Sequence, residues 1–464
     1  MHWARLSIGW FTAITAGLLL VYSPTTFTTA GPINSRTPDA HVNSANADPW
    51  VIFDADPNHL WNRLHRSFYS RTSRGGREYG NDELDPLLWS STQHLLSGPS
   101  YQQAKKTLDE FFNTHAERLI SDPLKKVVLL RDLWAVFDWT SQRDNPSPEV
   151  RELQRGLAKA ISRLALPTEQ IKAMSNNYER ATAYKRSTNE APAGVLPADL
   201  FQPTGPWVEL GEEDEMPTAR SHVFSFSGRS IFQVFIRHPQ GRNAAIAFLK
   251  ELAEFPKPWL RDQQNPAKVS PNPRLPQFPK GTQLAFVRRL MTINDRGDLT
   301  PTNIIESVQI RGHREIPVDI PDSFNTDRDP AQPFLDVSEF KLSRKKLFAS
   351  EAGGLRAVAR DEKEFPLFQS HGIDLFEFEK TRGGPFEPHL RPVLNSCSSC
   401  HFKPGIHSVM SRMPNIVTLR VRDVRRNLIP ASDAAEQANK TVKWKQRQED
   451  WRLLRELAQW SAVE

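Results

Sequence analysis

Two cysteines occur among 464 residues, and they stand three positions apart, as Cys397 and Cys400, with His401 directly after the second. Two thiols at this spacing, one helical turn apart, can both add to the vinyl groups of a haem. The imidazole of the next residue can then take the iron as proximal ligand. The expected cofactor is one covalent haem c. Other chemistry fits less well. A disulfide between the two cysteines has no need of His401. A structural zinc site asks for four ligands, and His407 alone is a poor supplement. A thioredoxin-like redox pair asks for a flanking βαβ pattern that is missing.

The sixth iron position is open to several candidates. Met413 precedes Pro414, and that proline would restrict the backbone carrying the sulfur. Met410 lies one turn earlier. His389 and His407 rank next, His371 is a further upstream histidine, and an open sixth site is the remaining option.

The N-terminus has the layout of an export signal. Arg5 precedes an apolar run, 6–22, and small residues end the segment near Ala30, so 1–30 reads as a signal peptide and 31–47 as a flexible leader. The run is short for a membrane span and interrupted by Thr12, Thr15 and Gly17. No later stretch is apolar enough to cross a bilayer, so no stable span is expected after signal removal. The expected location is periplasmic or extracellular, which is also where haem is attached to such a pentad.

The elements that must position the pentad read as α+β. Residues 48–187 form an expected helical domain. Its helices are 101–120, 124–140 opened by Asp122-Pro123, 149–166 opened by Pro148, and one from a Thr168 cap to Tyr184. His94 and His115 in this region read as packing or surface residues. Residues 188–347 form an expected β-rich α+β domain. Two runs, 222–227 and 230–237, suggest a hairpin through Gly228, and 282–294 pairs with 303–311 across the turn Asp295–Asp298. That turn contains Arg-Gly-Asp, residues a tight turn favours in any case. One amphipathic helix covers 243–255, and the proline-rich stretch 256–280 reads as an ordered irregular loop. The acidic run 212–215 reads as a solvated turn, because it lacks the spacing of a calcium loop. Residues 348–464 form an expected, mostly helical, cytochrome c-like haem region that ends in an amphipathic helix, 442–460.

The formal charge is +6, or +5 without Arg5. After His401 there are 12 Lys/Arg and 7 Asp/Glu, so the basic excess sits in the tail. Such a tail could steer an acidic redox partner or meet an anionic surface, although an ordinary solvated helix is the simpler reading. Nothing suggests nucleic-acid recognition. No Ser-His-Asp pattern, phosphate loop or His-Glu-x-x-His zinc motif is present.

The stretch Arg391–Gly405, with Arg-Pro-Val-Leu, the pentad, and then Pro404-Gly405, resembles the haem-binding start of cytochrome c domains in exported planctomycete-type proteins. The resemblance implies thioether anchors at Cys397 and Cys400 and a proximal His401. It covers these residues alone. It departs from the usual pattern in that Met413-Pro414 follows the pentad by only twelve residues. The function expected is electron transfer with an unknown partner. The alternatives are a peroxidase-like haem enzyme with an open iron site and a non-redox exported binding protein. Di-haem peroxidases carry two pentads, and this chain has one.

Overall fold

The computed structural model describes residues 51–72, 78–85, 94–142, 145–184, 195–212, 215–261, 263–264, 269–316, 334–364, 391–394, 405–409, 428–431, 435–458 and 460. The chain divides into two units, Met1–Ala47 and Asp48–Glu464. The expected signal peptide and leader belong to the first and lie outside the described residues.

The second unit is mixed α and β, with a seven-stranded antiparallel sheet in the order β10-β9-β8-β7-β4-β3-β13. Its strands are β3 (Trp207–Glu212), β4 (Ser230–Arg237), β7 (Gln283–Ile293), β8 (Leu299–His313), β9 (Leu335–Leu342), β10 (Leu355–Ala357) and β13 (Leu428–Pro430). Short pairs lie outside it: β1 (Arg71–Thr72) with β2 (Glu78–Tyr79), β5 (Trp259–Arg261) with β6 (Val269–Pro271), and β11 (Lys363–Glu364) with β12 (Arg391–Pro392). Successive strand residues face opposite sides, and each side of the sheet has its own core. From β4, Ile231 and Phe235 enter the large core shared with the helices. Val234 and Ile236 face a second core with Phe248, Leu249, Leu275 and Phe278. Phe232 joins Val223 and Phe226 in a small third cluster.

The helices on the large-core side are α1 (Leu60–Tyr69), α2 (Gly98–Asn113), α3 (Pro123–Ser141), α4 (Pro148–Leu164), α5 (Thr168–Lys172) and α6 (Asn177–Ala183). The central one is α3. Pro123 suits its first turn, and the Asp122 carboxylate accepts from the Leu124 and Lys125 N–H groups. From Val127 to Thr140 every residue is buried, so this helix has no solvent face. The chain continues through α7 (Arg220–Ser225), α8 (Arg242–Glu254) on the second core, α9 (Arg344–Phe348), α10 (Glu436–Gln446) and α11 (Glu449–Ala458).

The helix over 243–255 and the hairpin around 295–298 match their expected positions. In that turn Gly297 has φ +76 and the Asn294 side chain accepts from the Arg296 and Asp298 N–H groups. Several elements differ from the sequence reading, each for a local reason. Residues 222–227 are not a strand. The segment forms α7, which ends with the Gly228 N–H donating to Val223 and with Gly228 at φ +71, a glycine helix terminus. β4 pairs with β3 and β7 instead. The helix expected to reach Ile120 ends at Asn113, where His115 takes φ +51 and leaves Leu119 exposed. Thr168 does not cap one long helix. Its hydroxyl accepts from Asn294, and Asn176 caps a separate α6. The tail helix breaks at Arg447–Gln448 into α10 and α11, which lets both Lys445 and Trp451 point inward.

The proline-rich stretch carries the β5–β6 pair and sends Leu275 and Phe278 into the second core. His115 is a surface residue, as expected. Of the acidic run, residues 213–214 lie outside the described residues. No helix among the described residues is long and apolar enough to cross a membrane.

Candidate functional site

Cys397, Cys400 and His401 lie outside the described residues, as do Met410, Met413, His371 and His389 and the side chain of His407. The described chain reaches the pentad from both sides, and each approach is anchored.

Upstream, β12 pairs with β11, with Glu364 opposite Arg391 and Lys363 opposite Pro392. The Val393 N–H donates to the Glu362 carbonyl at 2.8 Å, and Val393 is buried. The Glu362 carboxylate accepts two bonds from Arg356 of β10, at 2.7 and 2.8 Å. This bidentate pair ties the approach to the sheet edge.

Downstream, Gly405–Ser408 forms one tight helical turn. Gly405 has φ +75, and a Cβ there would run into Gln277 Oε1. Any other residue would be strained and would collide with the acceptor that holds the turn. The Ile406 N–H donates to that same Oε1 at 2.6 Å, and the Ile406 side chain is buried in the second core. Ser408 Oγ donates to the Gly405 carbonyl at 2.7 Å and lies 3.2 Å from His313 Nε2. His313 Nδ1 is 3.0 Å from the Thr282 carbonyl. Burial pulls the His313 pKa down to about 4, Thr282 opposing and Arg311 reinforcing it. The imidazole is therefore neutral near pH 7.

A second concentration of titratable groups lies between α3 and the sheet. Arg131 Nη1 is 2.8 Å from Asp85, and its Nη2 donates to Ser230 Oγ at 3.0 Å. Ser230 donates to Glu306 at 2.5 Å. Arg229 bridges Asp85 and Asp138, both at 2.9 Å. Lys445 of α10 joins Asp138 to Asp450, both at 2.8 Å. Arg288 reaches Glu306 at 3.5 Å. Nearby, Arg344 makes a bidentate pair with Asp132 at 2.6 and 2.7 Å, and His65 Nδ1 meets the same carboxylate at 3.0 Å.

Burial alone would raise the Asp85 pKa, but Arg229, Arg131 and Arg288 hold it down at about 2. Asp138, buried and near Asp450, is pushed up in spite of Lys445 and Arg229. Burial lowers His65 against the pull of Asp132. Five cations (Arg131, Arg229, Arg288, Arg344, Lys445) face five carboxylates (Asp85, Asp132, Asp138, Glu306, Asp450). The least buried members are Arg288 and Asp450, each 13% exposed. A balanced, enclosed array offers an incoming substrate no surface. Its role is to join layers, because each group left alone would carry a large desolvation cost.

The sequence does hold a signal for this array. Arg131, Asp132 and Asp138 interrupt an otherwise apolar helix, so buried partners were required. His313 carries no such mark, since one histidine at a strand end has no pattern. Among the described residues no group of three or more His, Cys, Asp or Glu converges as a metal site. Along α2 a shallow open depression is lined by Gln102, Lys105, Lys106, Asp109, Glu110 and Asn113. That is a solvated helix face. Compared with models of known families, with curated proteins and with solved structures, the chain matches none.

Proposed function

We propose that this is an exported protein that carries one covalent haem c and transfers electrons to or from a partner protein. The observation that carries the reading is the pentad Cys397–His401, built from the chain's two cysteines. The donor set suits the group: two thiols spaced for two vinyl carbons, and an imidazole beside the second. Haem c, when bound, supplies one-electron chemistry, and the protein tunes it through axial ligand and burial. The anchored approaches at 391–394 and 405–409 support the reading, since a covalently held cofactor gains from a loop fixed at both ends. The haem region then occupies the C-terminal part of the chain, with Met413 or Met410 first in line for the distal position. The basic tail suits an acidic partner surface.

The test is expression in a periplasm equipped for haem maturation, followed by denaturing electrophoresis. Peroxidase staining should stay with the wild-type band and vanish from the Cys397→Ala, Cys400→Ala double variant. An unstained wild-type band overturns the proposal.

A further inference from the structure

We infer that His65 is a proton-operated latch between α1 and the β1–β2 hairpin: the doubly protonated ring fastens the Gly80 turn, and the singly protonated ring releases it. His65 Nδ1 stands 3.0 Å from Asp132 Oδ2, and Nε2 stands 3.0 Å from the Gly80 carbonyl. Both partners only accept. A carbonyl carries no proton, and the Asp132 carboxylate is held by two guanidinium N–H groups of Arg344. A neutral imidazole has one N–H, so it can serve only one of the two partners. The carboxylate takes it, because a charge-assisted bond is the stronger. Nε2 then turns its lone pair towards the Gly80 oxygen, and the contact repels. A second proton, on Nε2, converts the same contact into a hydrogen bond.

The latch closes a ring of contacts. Arg344 Nη2, bonded to Asp132, also donates to the Glu83 carbonyl at 3.0 Å. Just before it, the Asp82 carboxylate accepts from Ser343 Oγ and from the Lys345 N–H, both at 3.0 Å, at the start of α9. The segment 80–83 thus meets α9 at one end and His65 at the other. The ring is buried, with Tyr69 and Phe53 at 5.5 and 5.7 Å. Among the described residues the charged groups facing it are Asp132 of α3 and Arg344 of α9. Asp85 and Arg131 lie on the Tyr69 side, and Asp82 acts on Arg344. Burial and Arg344 oppose the second proton, Asp132 and Gly80 favour it, and burial prevails. The ring is therefore singly protonated at neutral pH and takes its second proton below the ordinary value of about 6.5. Losing the Gly80 contact while the ring stays buried lowers its proton affinity further, so acid favours the fastened hairpin. Global unfolding has the opposite sign, because the exposed ring binds a proton more readily than the buried one.

The experiment uses the full chain with isotope-labelled histidine, read by NMR, and His65→Gln identifies the His65 signals by their loss. Between about pH 7.5 and about pH 4.5 the ring should pass from one N–H, on Nδ1, to two. Over the same window hydrogen exchange of the 78–84 backbone, corrected for its intrinsic pH dependence, should slow about tenfold. That is the scale of one buried hydrogen bond gained. Overall thermal stability falls over this range, so the local and global responses run in opposite directions. In His65→Gln the corrected exchange of 78–84 should be flat with pH. A wild-type ring that keeps a single N–H throughout overturns the inference. So does wild-type exchange of 78–84 that stays flat or quickens in acid. If His65→Gln fails to fold, the wild-type exchange profile decides.

Discussion

Arg344 and Asp132 show how single residues hold this fold. Both are buried, and they meet through two parallel hydrogen bonds. Their mutual attraction offsets a desolvation cost that neither bears well alone. Arg344→Met should therefore cost about 3–5 kcal/mol in urea unfolding, because it leaves Asp132 with only His65. The double variant Arg344→Met, Asp132→Leu should cost clearly less than the single one. Equal losses would mean that the charge pair itself, and not the orphaned carboxylate, sets the cost. Acid sensitivity belongs to the same scale. Burial lowers His313 and His222 to about 4, and it lowers His65 as well. In the unfolded chain each takes a proton near pH 6.5. Their stabilising neutrality is complete above that value and is lost as pH falls towards 4, by at most about 3 kcal/mol for each of the first two. The thermal midpoint should fall through this window, and His313→Gln should flatten the fall. A wild-type midpoint constant from pH 7 to 4.5 would refute the assignment.

Among elements, α6 does a strand's work. Pairing of β8 with β9 begins at Ser307, so further back, among the described residues, β8 has no strand paired on that side. There Asn177 takes over: its Oδ1 accepts from the Ile305 N–H at 2.7 Å, and its Nδ2 donates to the Ile305 and Gly353 carbonyls at 3.0 Å. Asn177→Leu should cost roughly 2–4 kcal/mol, since it strands several buried backbone groups. A cost under 1 kcal/mol in chemical denaturation would show that water replaces the amide. This contact also explains what the sequence concealed. Helices α3 and α4 were legible because caps and periodicity agree there, α8 through its periodicity, and the β7–β8 hairpin through its turn residues. The run 222–227 looks like a strand by composition, yet Gly228 and the approach of Trp444 close it as a helix. The single helix read over 168–184 fails for a similar reason, because Asn177 is drawn to an edge far away in sequence. Partners that distant leave no local pattern.

At the scale of the whole molecule, residues far apart in sequence share one framework. The tail supplies β13 at one edge of the sheet, Trp451 against Trp134 of α3, and Lys445 in the ionic array. In sequence the pentad falls between two anchored segments, 391–394 and 405–409. The expectation for it rests on two cysteines and a histidine, whereas the contacts of Gln277 and His313 with the turn 405–408 came only with the fold. The central claim is that these two cysteines carry haem. The most direct measurement is mass spectrometry of the denatured, digested protein after expression with the haem-maturation machinery. The peptide containing Cys397 and Cys400 should carry the mass of one haem, with both thiols refractory to alkylation. The same peptide at its unmodified mass, with both thiols free or joined as a disulfide, would contradict the account.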